Sequence, residues 1–139
     1  MENKKVIKKL KQLIGDQNVL TSEWNKLPYS KGWRYGAGSA LAVLKPNKLS
    51  DIWRILQICA KENIIIIMQA ANTGLTGGST PCGNDYHRPI IVINTMLINN
   101  IHIIKEGSQI VSLTGSTLYD LEKKLKPYGR EPHSIIGST

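Results

Sequence analysis

Ile64-Ile-Ile-Ile-Met68, followed by Gln69-Ala-Ala-Asn-Thr-Gly-Leu-Thr-Gly-Gly-Ser-Thr-Pro81, is the stretch whose reading decides the fold. The apolar run is short and unbroken, which suits a strand buried on both faces. Gly74, Gly77 and Gly78, with Asn72, Thr73, Thr76 and Ser79, then fall where that strand leaves the carboxyl edge of its sheet. In open α/β sheets ligands bind at that edge. Glycine takes positive φ and carries no Cβ, so successive backbone N–H groups can turn inward and the main chain can approach a ligand closely. The hydroxyl and amide side chains add neutral hydrogen-bonding groups. Such a nest suits a phosphate or pyrophosphate held without a basic residue. The same composition also describes a plain surface turn.

Two familiar phosphate loops are excluded. A P-loop needs Gly-x-x-x-x-Gly-Lys-[Ser/Thr], and no lysine lies between Lys61 and Lys105. The dinucleotide fingerprint needs Gly-x-Gly-x-x-Gly between a strand and a helix. Gly36-Ala-Gly38 is the nearest approach, but its third position is Leu41 and a strand follows it.

The chain has 139 residues and suits one ordinary domain or part of a larger one. With 41% hydrophobic and 20% charged residues it has the composition of a globular protein. No apolar run approaches the roughly 18–20 residues of a membrane span. Lysines near the amino terminus lack a continuous apolar stretch behind them, so no secretory signal is expected and a cytosolic compartment is the default. Cys59 and Cys82 stand alone, without the spacing of a zinc site or disulfide framework. Cys59 reads as packing on a helix; Cys82, beside the glycine loop, reads as a spectator or a reactive thiol. The net charge is +8, and the excess sits almost wholly in residues 1–60.

Residues 1–14 place Val6, Leu10 and Leu13 at helical spacing among Lys4, Lys5, Lys8, Lys9 and Lys11, with Gly15 as the stop. This basic amphipathic helix is compatible with packing on its own domain, with an anionic membrane surface, or with nucleic acid. Residues 16–39 read as a loop, carrying Trp24, Pro28, Tyr29, Trp33, Arg34 and Tyr35; packing is favoured there over nucleic-acid stacking. Leu41–Leu44 is a buried strand, and Ser50 is expected to cap a helix running to about Asn63. With the run from Ile64 this makes a parallel βαβ unit. Ile90–Ile93 reads as a third strand, and Ile98–Ile104 and Gln109–Leu113 as a hairpin turning at Gly107. A helix from about Leu118 to Lys126 ends at Pro127 and Gly129.

Taken together, these parts resemble the flavin domain of the vanillyl-alcohol oxidase, or p-cresol methylhydroxylase, type of FAD enzymes. More narrowly they are similar to the respiratory quinone-dependent dehydrogenases of D-2-hydroxy acids. The likeness rests on Lys31-Gly-Trp-Arg34, Leu41-Ala-Val43, Met68-Gln-Ala-Ala-Asn-Thr-Gly-Leu-Thr76, Gly78-Ser-Thr-Pro81, Gly83-Asn-Asp-Tyr86, Ser116-Thr-Leu-Tyr119, Leu121-Glu-Lys123 and Gly129-Arg-Glu-Pro-His-Ser134. It implies an α+β fold: the amino-terminal half of that flavin domain, with a parallel βαβ subdomain over residues 1–97 and the start of a mixed or antiparallel subdomain over 98–139. It implies FAD as cofactor, its pyrophosphate wrapped by Ala70, Ala71, Asn72, Thr73, Gly74, Gly78 and Ser79, with Gly137 in a second flavin-contacting segment and Gly115 to Thr117 nearby. It implies no catalytic residue and no metal ligand in this chain; His133 is read as structural or cofactor-side, and the Asp85, His87 and Arg88 cluster as loop structure. The parent activity it implies is oxidation of D-lactate to pyruvate with membrane quinone as electron acceptor, on the cytoplasmic side of the inner membrane. The substrate cap and the second half of the flavin domain have no counterpart here, so no turnover by this chain alone is expected. Another hydroxy-acid or alditol oxidase of the same type, or a small basic nucleic-acid-binding protein, are the rival readings; nucleic acid is not the expected partner.

Overall fold

A computed structural model describes residues 2–83 and 86–133. Helix α1 (Glu2–Ile14) ends at Gly15, whose φ of 88° lies in the region that favours glycine. A helical turn over Asp16–Asn18 leads to the short strand β1 (Val19–Leu20). Helix α2 (Glu23–Ser30), strand β2 (Ala42–Leu44), helix α3 (Leu49–Lys61) and strands β3 (Ile65–Gln69) and β4 (Ile90–Asn94) follow. Strands β5 (Ile101–Ile104) and β6 (Gln109–Ser112), helix α4 (Leu118–Leu125) and a helical turn over Lys126–Tyr128 complete the described elements.

The first sheet has the order β1-β2-β4-β3. β2 and β3 both run parallel to β4, and β1 pairs antiparallel with β2. β4 therefore inserts between the two strands that α3 connects. Its five residues are all buried, and their alternation divides the core. Ile91 and Ile93 face the layer formed by α1 and α3, where Val6, Leu10, Ile14, Ile55 and Cys59 pack. Ile90 and Val92 face Ala40 and Val43 on the other side, with Leu20 and Tyr29 against them. Burial pushes the Cys59 thiol up to about 11, so it is an inert packing group.

β5 and β6 form a separate antiparallel hairpin. Lys105, Glu106 and Gly107 all take positive φ, which turns the chain within four residues. Thr117 caps α4 by accepting from the Asp120 N–H, and Leu125 is buried under it.

Four expectations are corrected. Residues 16–39 are not a continuous loop: Ser22 caps α2 by accepting from the Asn25 N–H, and Pro28 sits in its last turn. Pro28 signals a break, yet the Ser22 cap and the burial of Lys26 hold the helix through it. Ser50 lies inside the first turn of α3; Lys48 occupies the cap position without a side-chain bond. β3 is not buried on both faces. It is the sheet edge, Met68 is 46% exposed, and the twice-buried strand is β4. An apolar run does not by itself distinguish a central strand from an edge. Finally, β5 begins only at Ile101, because Ile98 closes a turn with its N–H on the Thr95 carbonyl at 2.8 Å.

Two tests follow from this packing. Leu10 is fully buried, so Leu10→Ala should lower unfolding free energy in urea by about 2–5 kcal/mol. Lys9 Nζ lies 2.7 Å from Glu62 Oε1, joining α1 to the end of α3. The Lys9 hydrogen bond, reinforced by the charges of Lys9 and Lys61, holds the Glu62 carboxyl below the ordinary glutamate range. A lowered carboxyl contributes stability at neutral pH and loses it as pH falls through the lowered value. The stability gap between the wild-type chain and Glu62→Gln should accordingly shrink on acidification from neutral pH.

Candidate functional site

Gln69 ends β3 and Asn94 ends β4, and the two are register partners at the carboxyl edge of the parallel strands. Both are buried polar residues closing apolar strands. Gln69 Nε2 donates to the Tyr29 carbonyl at 2.9 Å and the Ser79 carbonyl at 2.8 Å, using both its hydrogens. Its Oε1 accepts from Asn94 Nδ2 at 3.1 Å, and Asn94 Nδ2 also donates to the Ala70 carbonyl at 2.9 Å. The Gln69 carbonyl accepts from the N–H and hydroxyl of Thr95.

The loop from Ala70 to Pro81 leaves this junction and returns to it. Asn72, at φ 58°, donates from Nδ2 to the Lys31 carbonyl at 2.9 Å and accepts from Ser79 Oγ at 2.7 Å. Its outward and return limbs are thus joined by side chains, while the carbonyls of Ala70 and Ser79 turn toward the protein. Between those two ends few main-chain groups find protein partners, and of the carbonyls from Ala71 to Gly78 only that of Gly77 accepts a bond from the described residues. Among the described residues, no backbone N–H from Ala71 to Ser79 donates to a protein acceptor. A run of donors without protein partners at a surface matches what an anionic ligand requires.

The expected contact residues are brought together on this loop. Ala70, Ala71, Thr73, Gly74 and Gly78 are exposed, while Asn72 and Ser79 are half-buried. Gly137 lies outside the described residues. Gly115 packs against the Thr95 carbonyl and Met96, just beyond the end of β4.

The glycines divide by cause. Gly77 has φ 78° and lies against Tyr35 and Gly36, and a side chain on Gly36 would strike the Thr80 hydroxyl. A side chain on Gly38 would press on the Gly83 carbonyl and on Pro81. Those glycines let residues 36–38 zip onto the returning limb, through a bond from the Gly83 N–H to the Ala37 carbonyl at 2.8 Å. Gly74 and Gly78 differ. Neither has positive φ; a Cβ on Gly78 would meet nothing within 4 Å, and one on Gly74 only Ser79 Oγ at 4.0 Å. The polypeptide does not require glycine at either position, and both lie open at the surface.

Other candidates carry less. Cys82 is exposed and its N–H donates to the Tyr86 hydroxyl. Arg88 is spent on Asn63 Oδ1 at 2.8 Å, His87 and His133 are exposed, and Asp85 lies outside the described residues. A cavity of about 670 Å³ opens at the opposite edge of the sheet, beside Lys26, Ser39 and Arg88. Its one buried cation, Lys26, already donates to Glu23 and the Ala40 carbonyl.

Gln69 and Asn94 are the site residues that sequence reading passes over. Their signal is a polar amide closing each of two apolar runs, and only pairing β3 with β4 makes it legible.

Residues 40–137 match the family described as FAD binding domain. Over all 139 residues the chain is 50% identical to the quinone-dependent D-lactate dehydrogenase of Haemophilus influenzae, and it spans 25% of that protein. Its fold matches a solved alkyldihydroxyacetonephosphate synthase at a TM-score of 0.79, with 16% identity, over 91% of this chain and 25% of the other. It matches p-cresol methylhydroxylase with substrate bound at 0.72, with 20% identity, over 92% of this chain and 25% of the other. The architecture is therefore the α+β arrangement that the resemblance implied, with FAD as its cofactor. In sequence over residues 40–137, and in fold, this chain belongs to the FAD binding domain family.

Proposed function

We propose that this chain grips the diphosphate of FAD within a quinone-dependent D-lactate dehydrogenase. The observation that carries the reading is the loop of N–H groups from Ala71 to Ser79 without protein acceptors, open at Gly74 and Gly78. Identity of 50% along the whole chain supports the choice of enzyme. The chain spans a quarter of that relative's length, so the residues that meet substrate are assigned to the remainder.

Ala70, Ala71, Asn72, Thr73, Gly74, Gly78 and Ser79 hold the diphosphate in this reading, and Gly137 supplies a second contact. Neutral donors suffice because backbone amides held in place by the fold act as fixed partial positive charges. Residues 1–97 form the first subdomain and residues 98–139 begin the second. FAD supplies, when bound, the acceptor for the hydride that leaves carbon 2 of D-lactate, and quinone receives the electrons afterwards. The residues of this chain bind and orient; they move no proton.

The same reading places the enzyme peripherally on the cytoplasmic side of the inner membrane. Lys9 and Lys11 are committed to Glu62 and Asp16, which leaves the exposed Lys4, Lys5 and Lys8 on α1 to face anionic lipid.

Two measurements test these proposals. Gly78→Val should weaken FAD binding, read by flavin fluorescence, by about tenfold or more, since roughly 1–3 kcal/mol of overpacking would fall on the ligand. Its melting temperature should stay that of the wild-type chain; unchanged FAD affinity would overturn the assignment. Replacing Lys4, Lys5 and Lys8 together by Gln should reduce sedimentation with phosphatidylglycerol vesicles, and undiminished binding would refute the docking face.

A further inference from the structure

We infer that Gln69 is the positioning residue of the diphosphate loop, an inference that rests on the flavin reading above. Its amide is no part of the backbone ladder of β3 and β4, and meets that pairing only through the side chain of Asn94. An apolar side chain would continue the run from Ile64 and fill the space without the cost of burying a polar group. The amide is retained and fully occupied: both Nε2 hydrogens and Oε1 have partners, at 2.8–3.1 Å.

Those partners define what it does. The Ser79 carbonyl is the end of the loop, and the Tyr29 carbonyl belongs to the helix leading into the segment packed on the loop. Asn94, held by Gln69, pins the Ala70 carbonyl at the loop's start. One amide pair thus fixes both ends of the loop and the helix beside them. Each peptide unit is planar, so a carbonyl pinned inward sets the direction of the N–H that follows it. The Ala70 carbonyl, held by Asn94, therefore sets the direction of the Ala71 N–H, and the Ser79 carbonyl, held by Gln69, that of the Thr80 N–H, so the loop between them is anchored at both ends. Binding then meets a loop already ordered, and the entropic cost of ordering it falls on folding instead.

The test compares Gln69→Met, which keeps size and removes the hydrogen bonds, with Ile91→Val, a core change on the neighbouring strand that touches no loop group. FAD and ADP are titrated against the purified 139-residue chain and both variants, well below all three melting temperatures. Gln69→Met should lose FAD and ADP affinity by about tenfold or more, and a native-state protease should newly cut between residues 70 and 83. Ile91→Val should keep the wild-type affinity even where its melting temperature falls as far. Should Gln69→Met fail to fold, Asn94→Ala, which frees the Ala70 carbonyl, Gln69 Oε1 and the Met96 N–H but leaves the Gln69 bonds to Tyr29 and Ser79, should show a several-fold loss of its own. Wild-type affinity in a folded Gln69→Met or Asn94→Ala chain overturns the inference and leaves the flavin reading standing. A wild-type chain that binds neither FAD nor ADP overturns both.

Discussion

The buried contact between the side chains of Gln69 and Asn94 is the constraint on which the rest of the site depends. Two apolar strands lying side by side have no reason to stop at a common level, and the register Gln69↔Asn94 supplies one. At that level the sheet changes from a packed apolar interior to a layer of amides that must be satisfied or pay a desolvation penalty. Satisfying them draws in carbonyls from Tyr29, Ala70 and Ser79, which otherwise belong to separate segments. Local strand pairing is thereby converted into the shape of a loop.

The loop's chemistry follows from what remains once those bonds are made. The carbonyls at the two ends of the loop are consumed on the protein side, and the N–H groups from Ala71 to Ser79 have no protein acceptor among the described residues, so an irregular turn keeps a run of donors available without a helix. No lysine lies between Lys61 and Lys105 to contribute charge. A nucleotide diphosphate is well matched to such a surface because its oxygens are spread over several ångströms and can each meet a separate N–H. Basic residues are concentrated elsewhere, on α1, where pairing with Glu62 and Asp16 consumes part of the charge. The amide-lined loop and the basic face of α1 are therefore physically separate features of the chain.

Glycine has two unrelated uses in this structure, and composition does not tell them apart. At Gly36, Gly38 and Gly77 the polypeptide itself fills the space a side chain would take, so these residues serve the packing of residues 36–38 on the returning limb. At Gly74 and Gly78 the backbone is conformationally ordinary and the space lies open. The positive φ expected of the glycine cluster is found at Gly77 and, with no glycine at all, at Asn72. Asn tolerates that conformation, and here its side chain also bridges Lys31 and Ser79.

The amino-acid sequence by itself determined the parallel strand-helix-strand unit, the hairpin turning through Gly107, the inert role of Cys59 and the likeness to a flavin domain, because periodicity, turn residues and long motifs are local properties of the chain. It also placed the loop at the carboxyl edge of a strand. Tertiary structure alone decided that β4 is the central strand and β3 the edge, that Ser22 and the buried Lys26 sustain a helix through Pro28, and which glycines serve packing. It alone brought Gln69 beside Asn94. Those outcomes depend on residues 14 to 40 positions apart in the chain, and the competition among partners for buried hydrogen bonds is settled only when all of them are in place.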